Sequence, residues 1–422
     1  MSNTWQASYD EIKSYIAQHP SIAIKPEVFS IPGDVRPGFY LIFDIIRENF
    51  INDNFPVALE KARTLSKNHE IIRKELITSL ALEEIDVRAT IKEFLVNPIA
   101  QLSKLLYDPL FDLLMGKIDK ASFEQTSDAR LQTAFDNFFR VAEQSWLMLA
   151  LLQVFAPDEV YIVPPALNDF ANECDSAITD SGGLPKQMVP DAVQASRLSF
   201  DSSTFVSYLV PKVIMHSKPL NLYVSLVSEF RTVPLRVVYL NSNVEWFSVS
   251  GLHQKIGPGR TWPELAIYLA KKPNDLTMVS DNQHFAHPDI IMHVESPQVL
   301  RDPGEPDLLR NRNRAFEPRL GSYVICTELI PQGDIESLKQ QFKPAVPQKS
   351  DTEANANPAI TNQAQNTPVE PTTNVNPPEK IEVMDVGYNA AKLEPVVDAI
   401  LKSRRYAELA PNPQTGTTNV PV

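Results

Sequence analysis

Along the first 156 residues the apolar positions recur three and four apart, the spacing of helices that bury one face. Ser8 and Glu11 have the spacing of a capping box and predict a helix over YDEIKSYIAQH. Pro20, Pro26, Pro32 and Pro37 then interrupt the pattern and predict an irregular arm. Helices are predicted over 39–51, 54–67 and 68–80, the last with Ile72, Leu76 and Leu80 on one face. Asn97-Pro98 and Asp108-Pro109 each read as a cap followed by a first-turn proline. Leu102, Leu105, Leu106, Leu113 and Leu114 supply the apolar faces of those two helices, and Gly116 ends the second. The longest helix is predicted over 127–155. Leu131, Phe135, Phe138 and Phe139 share one side of it, and from Trp146 onward it is apolar nearly all round, the mark of a central, buried helix.

After Pro157 the period changes. Short runs of β-branched and aromatic residues replace the helical pattern: EVYIV (159–163), the stretch from 198 to about 240, IIMHV (290–294) and YVICTELI (323–330). PLRVVYL and VEWFSV flank Asn-Ser-Asn and predict a hairpin over 234–249, with another strand at 276–280. A helix is predicted over 262–272, with Thr261 and Glu264 as its capping box and Lys271-Lys272-Pro273 as its end. The fold class is therefore α+β: a helical N-terminal bundle (1–156), then a mixed or antiparallel sheet domain with helices (157–342).

From 343 the pattern disappears. Residues 343–380 are rich in Pro, Asn, Thr and Gln, too poor in apolar residues to offset chain entropy, and are expected to be a disordered linker. Within the tail (381–422) one amphipathic island returns at 392–409. Val396, Val397, Ile400 and Leu401 share a face there, with Leu393 just ahead. Two readings stay open: a tethered helix that docks on a protein partner, or a helix that packs on its own body. On the first, a chain ending at about residue 342 keeps the melting temperature of the whole.

Composition narrows the function. The net charge of −13 disfavours nucleic acid and anionic membranes as partners. Cys174 and Cys326 give neither a disulfide framework nor a CxxC metal site, which suits a reducing compartment. The N-terminus carries no basic-then-apolar leader, and the most apolar run (146–155) is far shorter than the ~20 residues of a membrane span. A cytoplasmic location is expected. Thirteen glycines against thirty-five prolines leave few places for a phosphate loop.

Three stretches could carry chemistry. GLHQKIGPGRTWPEL (251–265) places a glycine loop between a strand and a helix, but its spacing matches neither the P-loop nor the dinucleotide fingerprint. Arg260 is left over, a cation at the positive end of a helix dipole and a candidate anion ligand. HFAHPDIIMHVE (284–295) brings together His284, His287, His293 and Glu295, donors suited to zinc or another divalent ion, but their spacing matches no named site; the expectation is no cofactor, with a divalent metal as the alternative. Arg310, Arg312 and Arg314 alternate and would share one face of a strand as an anion-binding row, although Asp302, Glu305, Asp307 and Glu317 stand among them. There is no GxSxG elbow, no closing Glu-x-Lys for a nuclease, and Cys174 has acidic neighbours that suppress its thiolate. The expectation is a non-catalytic interaction or scaffold protein with a C-terminal docking helix. The alternatives are an enzyme or regulator binding a phosphate-containing anion or a metal in the α+β domain, and a component of a larger viral or secretion assembly.

Overall fold

The computed structural model describes residues 4–26, 28–163, 191–200, 211–228, 246–248, 263–276, 284–342 and 380–410. The helical half comprises α1 (Trp5–Gln18), α2 (Arg36–Asn54), α3 (Pro56–Ser79), α4 (Ala89–Val96), α5 (Pro98–Ser103), α6 (Tyr107–Leu114) and α7 (Lys120–Phe155). A small antiparallel hairpin, β1 (Ala23–Lys25) with β2 (Val28–Ser30), occupies the proline-rich arm. α1 begins earlier than its capping box implied: Thr4, not Ser8, caps it by accepting from the Ala7 amide, and Ser8 is fully buried. The two helices expected at 54–67 and 68–80 are one continuous helix. Asn97 caps α5 as expected, accepting from Ala100. α6 already begins at Tyr107, so Asp108 lies inside it.

α7 starts at Asp119, whose side chain accepts from the Ser122 amide, and stops at Ala156 in a left-handed conformation (φ 43°). From Glu143 to Leu152 every residue of α7 is buried, so this stretch lies inside the molecule, as its apolar sequence implies.

The sheet that covers α7 has eight strands. Its members in chain order are β4 (Pro157–Ile162), β5 (Val193–Gln194), β7 (Val213–Ser217), β8 (Leu222–Ser228), β10 (Leu265–Ala270), β12 (Ile290–Val294), β13 (Ser322–Cys326) and β14 (Ile381–Asp385). Their order in space is β14-β13-β12-β10-β8-β7-β4-β5. From β12 back to β5 the pairing is antiparallel, whereas β12, β13 and β14 run parallel. Two small pairings stand apart: β3 (Glu84–Asp86) lies parallel to β6 (Arg197–Ser199), and β9 (Trp246–Ser248) is antiparallel to β11 (His284–Ala286). The β3–β6 pair links the helical half to the segment after the sheet begins, and one buried cluster runs from Trp5 on α1 to Ile400 near the C-terminus.

Helices of the second half cover the other face of the sheet: α8 (Pro297–Leu300), α9 (Glu305–Phe316) and α10 (Gln332–Gln341). β10 shows the consequence of burial on both sides. Leu265, Ile267 and Leu269 join the core with α7, while Ala266, Tyr268 and Ala270 join the cluster with Ala315 and Phe316 of α9.

Two expectations are corrected here. The helix expected over 262–272 is absent from the described residues 263–272: β10 occupies 265–270, in the middle of the sheet. A strand buried on both faces loses the polar alternation that marks a strand in sequence, so Leu-Ala-Ile-Tyr-Leu-Ala reads as helix. The arginine row is not a strand either. Glu305, Pro306 and Asp307 open α9, acids and a proline suited to a first turn, and Arg314 stands in its last.

The C-terminal island also departs from the tethered reading. β14 adds to the sheet edge, and the chain continues into α11 (Glu394–Leu401) and α12 (Arg404–Leu409), two short helices where one was expected. Leu393, Val396, Val397 and Ile400 are buried in the same core as α7, and Leu401 stays partly exposed. That face is covered by the chain's own body, so it is not a free docking surface. The first strand of the 234–249 hairpin, the strand at 277–280, Arg260, Thr261 and residues 343–379 lie outside the described residues. Among the described residues no helix is long and apolar enough to cross a membrane.

Candidate functional site

The sequence candidates separate into several places. His284 is in β11, its backbone paired with Ser248 of β9. The His287 ring lies against the Phe316 carbonyl, its Nδ1 3.3 Å from the oxygen. His293, Glu295 and Arg312 do meet, in the interior. His293 on β12 is fully buried, with Nδ1 3.6 Å from Oε2 of Glu264. Glu264 also accepts from the Val294 amide at 3.2 Å, and its own carbonyl accepts from Nε2 of Gln144 on α7 at 2.6 Å. Arg312, 1% exposed, points from α9 to Glu295 and Glu305, with Nη1 3.8 and 3.6 Å from their carboxylates.

The electrostatics of this node follow from burial. Burial pushes the Glu264 carboxyl up, but His293, the Arg312 charge and the Val294 amide outweigh it and hold it below the usual range. Burial drives His293 the other way, below the ordinary imidazole value, and the Glu264 and Glu305 carboxylates do not restore it. Both directions favour a neutral imidazole beside an ionised carboxylate.

The His284 side chain lies outside the described residues, and His287, His293 and Glu295 do not assemble as a metal set. Among the described residues no group of three or more His, Cys, Asp or Glu side chains is placed to hold a metal ion. His287 and His293 are separated by the strand that begins between them, and Glu295 turns to Arg312. The expected anion row fails for a similar reason. On a helix Arg310 and Arg314 share a side, and Arg312 points almost oppositely, into the core. Arg310 is engaged by Asp307 at 2.8 Å and by the Gln341 carbonyl.

A second polar node ties α3 and α7 to the ends of the parallel strands. Glu143 Oε1 accepts from Thr327 at 2.9 Å and from the Tyr388 hydroxyl at 3.4 Å, and lies 3.0 Å from Lys61 Nζ. Lys61 also bonds Glu328 at 2.7 Å and sits over the Phe139 ring at 4.4 Å. Burial lowers the Lys61 pKa, but the two glutamates overcome it and hold the ammonium above its ordinary value. Cys326 lies near this node; burial first, then the surrounding carboxylates, push its thiol up to about 12, which removes it as a nucleophile. A small cavity of about 20 Å³ between α4, α7 and the end of β8, lined in part by Gln144, Ser145 and Ser228, has room for about one water.

The helical half carries an outward face of a different kind. Phe29 on β2 meets Phe111 on α6 edge-on at 4.9 Å, and Phe111 meets Tyr107 at 5.0 Å. The Tyr107 and Tyr40 hydroxyls are 3.3 Å apart. Arg47 lies over both Phe43 and Tyr107, at 5.2 and 5.5 Å, held there by the Ser103 carbonyl and Asp44. Phe29 is 52% exposed and Tyr107 37%, and Leu41 (64%) and Ile45 (37%) project one turn apart on α2. Aromatics with an arginine on a rigid helical base, left partly open to water, have the composition of a protein contact surface. Sequence reading missed it because Phe29 falls in the irregular arm, far along the chain from Tyr107. The exposed pair Leu41 and Ile45 was no signal for it, since helical spacing sets them on the far side of α2 from Tyr40 and Arg47.

No protein-family model, no curated protein and no solved structure matches this chain.

Proposed function

We propose that the protein is a non-catalytic interaction protein, and that its contact surface is the aromatic face formed by β2, α2 and α6. The ladder that runs from the half-exposed Phe29 over the buried Phe111 to Tyr107 and Tyr40, with Arg47 lying over Tyr107, carries this reading. Tyr and Arg anchors of this kind dominate binding energy where a partner excludes water from them. The buried charged nodes support the same reading in another way: their charges are spent on holding elements together. The contact surface is thereby moved from the C-terminal helix to the helical half.

A photo-crosslinking side chain at Phe29, in cells that make the protein, tests it. A discrete protein adduct is expected from Phe29, none from the exposed Arg130 on α7, and loss of the adduct on adding Tyr107→Ala. Equal labelling at Phe29 and Arg130, or an adduct indifferent to Tyr107→Ala, overturns the reading.

A further inference from the structure

Residues 380–410 form a strand, a turn and two short helices whose contacts beyond their own segment are made with a surface that the rest of the chain builds without them. Among the described residues β14 pairs only with β13, in register from Ser322–Ile381 to Cys326–Asp385, and is the edge of the sheet. Val396, Val397 and Ile400 complete the core beside α7, and Tyr388 stacks edge-on against Trp146 at 5.3 Å. Arg405 reaches Asp289, just ahead of β12, at 3.1 Å. The receiving surface is therefore the free edge of β13, the side of α7 that carries Trp146, and Asp289. At its entrance Gly321 (φ 108°) leaves the space that Lys380 uses: a Cβ there would lie 2.6 Å from the Lys380 carbonyl oxygen.

The chain between Phe342 and Lys380 carries no aromatic residue and is rich in Pro, Asn and Thr. Stretches of its length span up to roughly 120 Å when extended, several times the length of a strand. Nothing in the contacts of the module specifies that it come from the same molecule.

We propose that residues 380–410 are an exchangeable docking module, and that its receptor on a second copy of this chain accepts it as its own does. Exchange keeps every contact, since donor and receptor are the same in both arrangements. What separates them is effective concentration. Tethered to its own receptor the module experiences about millimolar concentration, so the self-docked form dominates at micromolar protein and the exchanged dimer rises as the protein approaches millimolar. The proposal uses no residue of the aromatic face and stands or falls independently of the function proposed above.

The test uses two full-length versions: one of natural isotopes with an N-terminal affinity tag, the other uniformly ¹⁵N-labelled and untagged. Each has a specific protease site inserted within 343–379. They are mixed at micromolar or millimolar concentration and equilibrated, cleaved at the inserted site after dilution, and the tagged body is captured at once. The isotopic mass of the module retained on it is then read. The expected result is light module alone after micromolar mixing and up to about half heavy module after millimolar mixing. A ¹⁵N chain carrying Val397→Asp should donate none. Light module alone at every concentration overturns the proposal. So does loss of all modules on cleavage, or undiminished donation by the Val397→Asp chain.

Discussion

Arg405 donates through Nε to Oδ1 of Asp289 at 3.1 Å, joining the last described helix to the residue just ahead of β12. Asp289 is 1% exposed, also accepts from the Leu269 amide at 2.7 Å, and has Arg319 3.6 Å away. Burial nonetheless holds its carboxyl above the usual range; the two arginines pull it down without prevailing. Each arginine therefore matters to a carboxylate that is costly to bury.

Arg405→Ala should lower unfolding free energy by about 1–3 kcal/mol, because it strips a partner from a buried acceptor. Adding Asp289→Asn should reduce that loss, since a neutral amide asks less of its neighbours. Urea unfolding of the four proteins of this double-mutant cycle measures the coupling; additive effects would contradict it.

A chain ending at residue 342 should not keep the melting temperature of the whole. It exposes the edge of β13 and the core side chains that Leu393, Val396, Val397 and Ile400 cover. Val397→Asp places a carboxylate in that core and should cost about 3 kcal/mol or more. Thermal unfolding followed by circular dichroism reads both; an unchanged midpoint in either would mean the C-terminal segment contributes nothing to the body.

His69 sits between α3 and α7 with its Nε2 3.1 Å from the Ser145 hydroxyl. Burial, then the Arg73 charge, push its pKa down to about 4. In the unfolded chain it returns to about 6.5. The unfolded state therefore binds the proton first as pH falls. The stability that the neutral ring contributes is whole above about 6.5 and is lost on descending towards 4, at most about 3 kcal/mol at 1.4 kcal/mol per unit. His69→Gln should flatten the stability profile in that window relative to the parent. His293, shifted the same way, should leave a residual slope in the variant. Identical profiles for parent and variant would rule out the assignment to His69.

Ala156 ends α7 at φ 43°, a left-handed conformation that costs a non-glycine residue about 1–2 kcal/mol. Ala156→Gly relieves it at the expense of a more flexible unfolded chain, so a net gain of about 1 kcal/mol is expected. Chemical denaturation decides it, and destabilisation would show that the methyl group packs usefully.

Where one face of an element is wet, its class was legible in the sequence. α2, α3 and α7 follow their apolar spacing, and Asn97 caps α5 as its proline announces. Burial on both faces did not hide β12 or β13, which β-branched residues still marked; β10, with Leu, Ile and Leu to one side and Ala, Tyr and Ala to the other, has neither a polar residue to set the period nor a composition that excludes a helix. The arginines of α9 misled for the opposite reason. Their alternation mimics a strand, while Arg312 is a buried cation balanced by Glu295 and Glu305, partners that sequence distance hides. The same holds for the proposed contact surface, which is assembled from β2, α2 and α6 by packing alone.

β13 and β14 are neighbours in the sheet, yet Cys326 is made long before Ile381. At ribosomal speeds of about 5–20 residues per second, the last strand follows its partner by roughly 3–10 s. During synthesis the body spends that interval with an open parallel edge and an uncovered flank on α7. The nascent chain is then most exposed to strand-pairing with other chains and has most use for a chaperone, a hazard that ends only when residues 380–410 arrive.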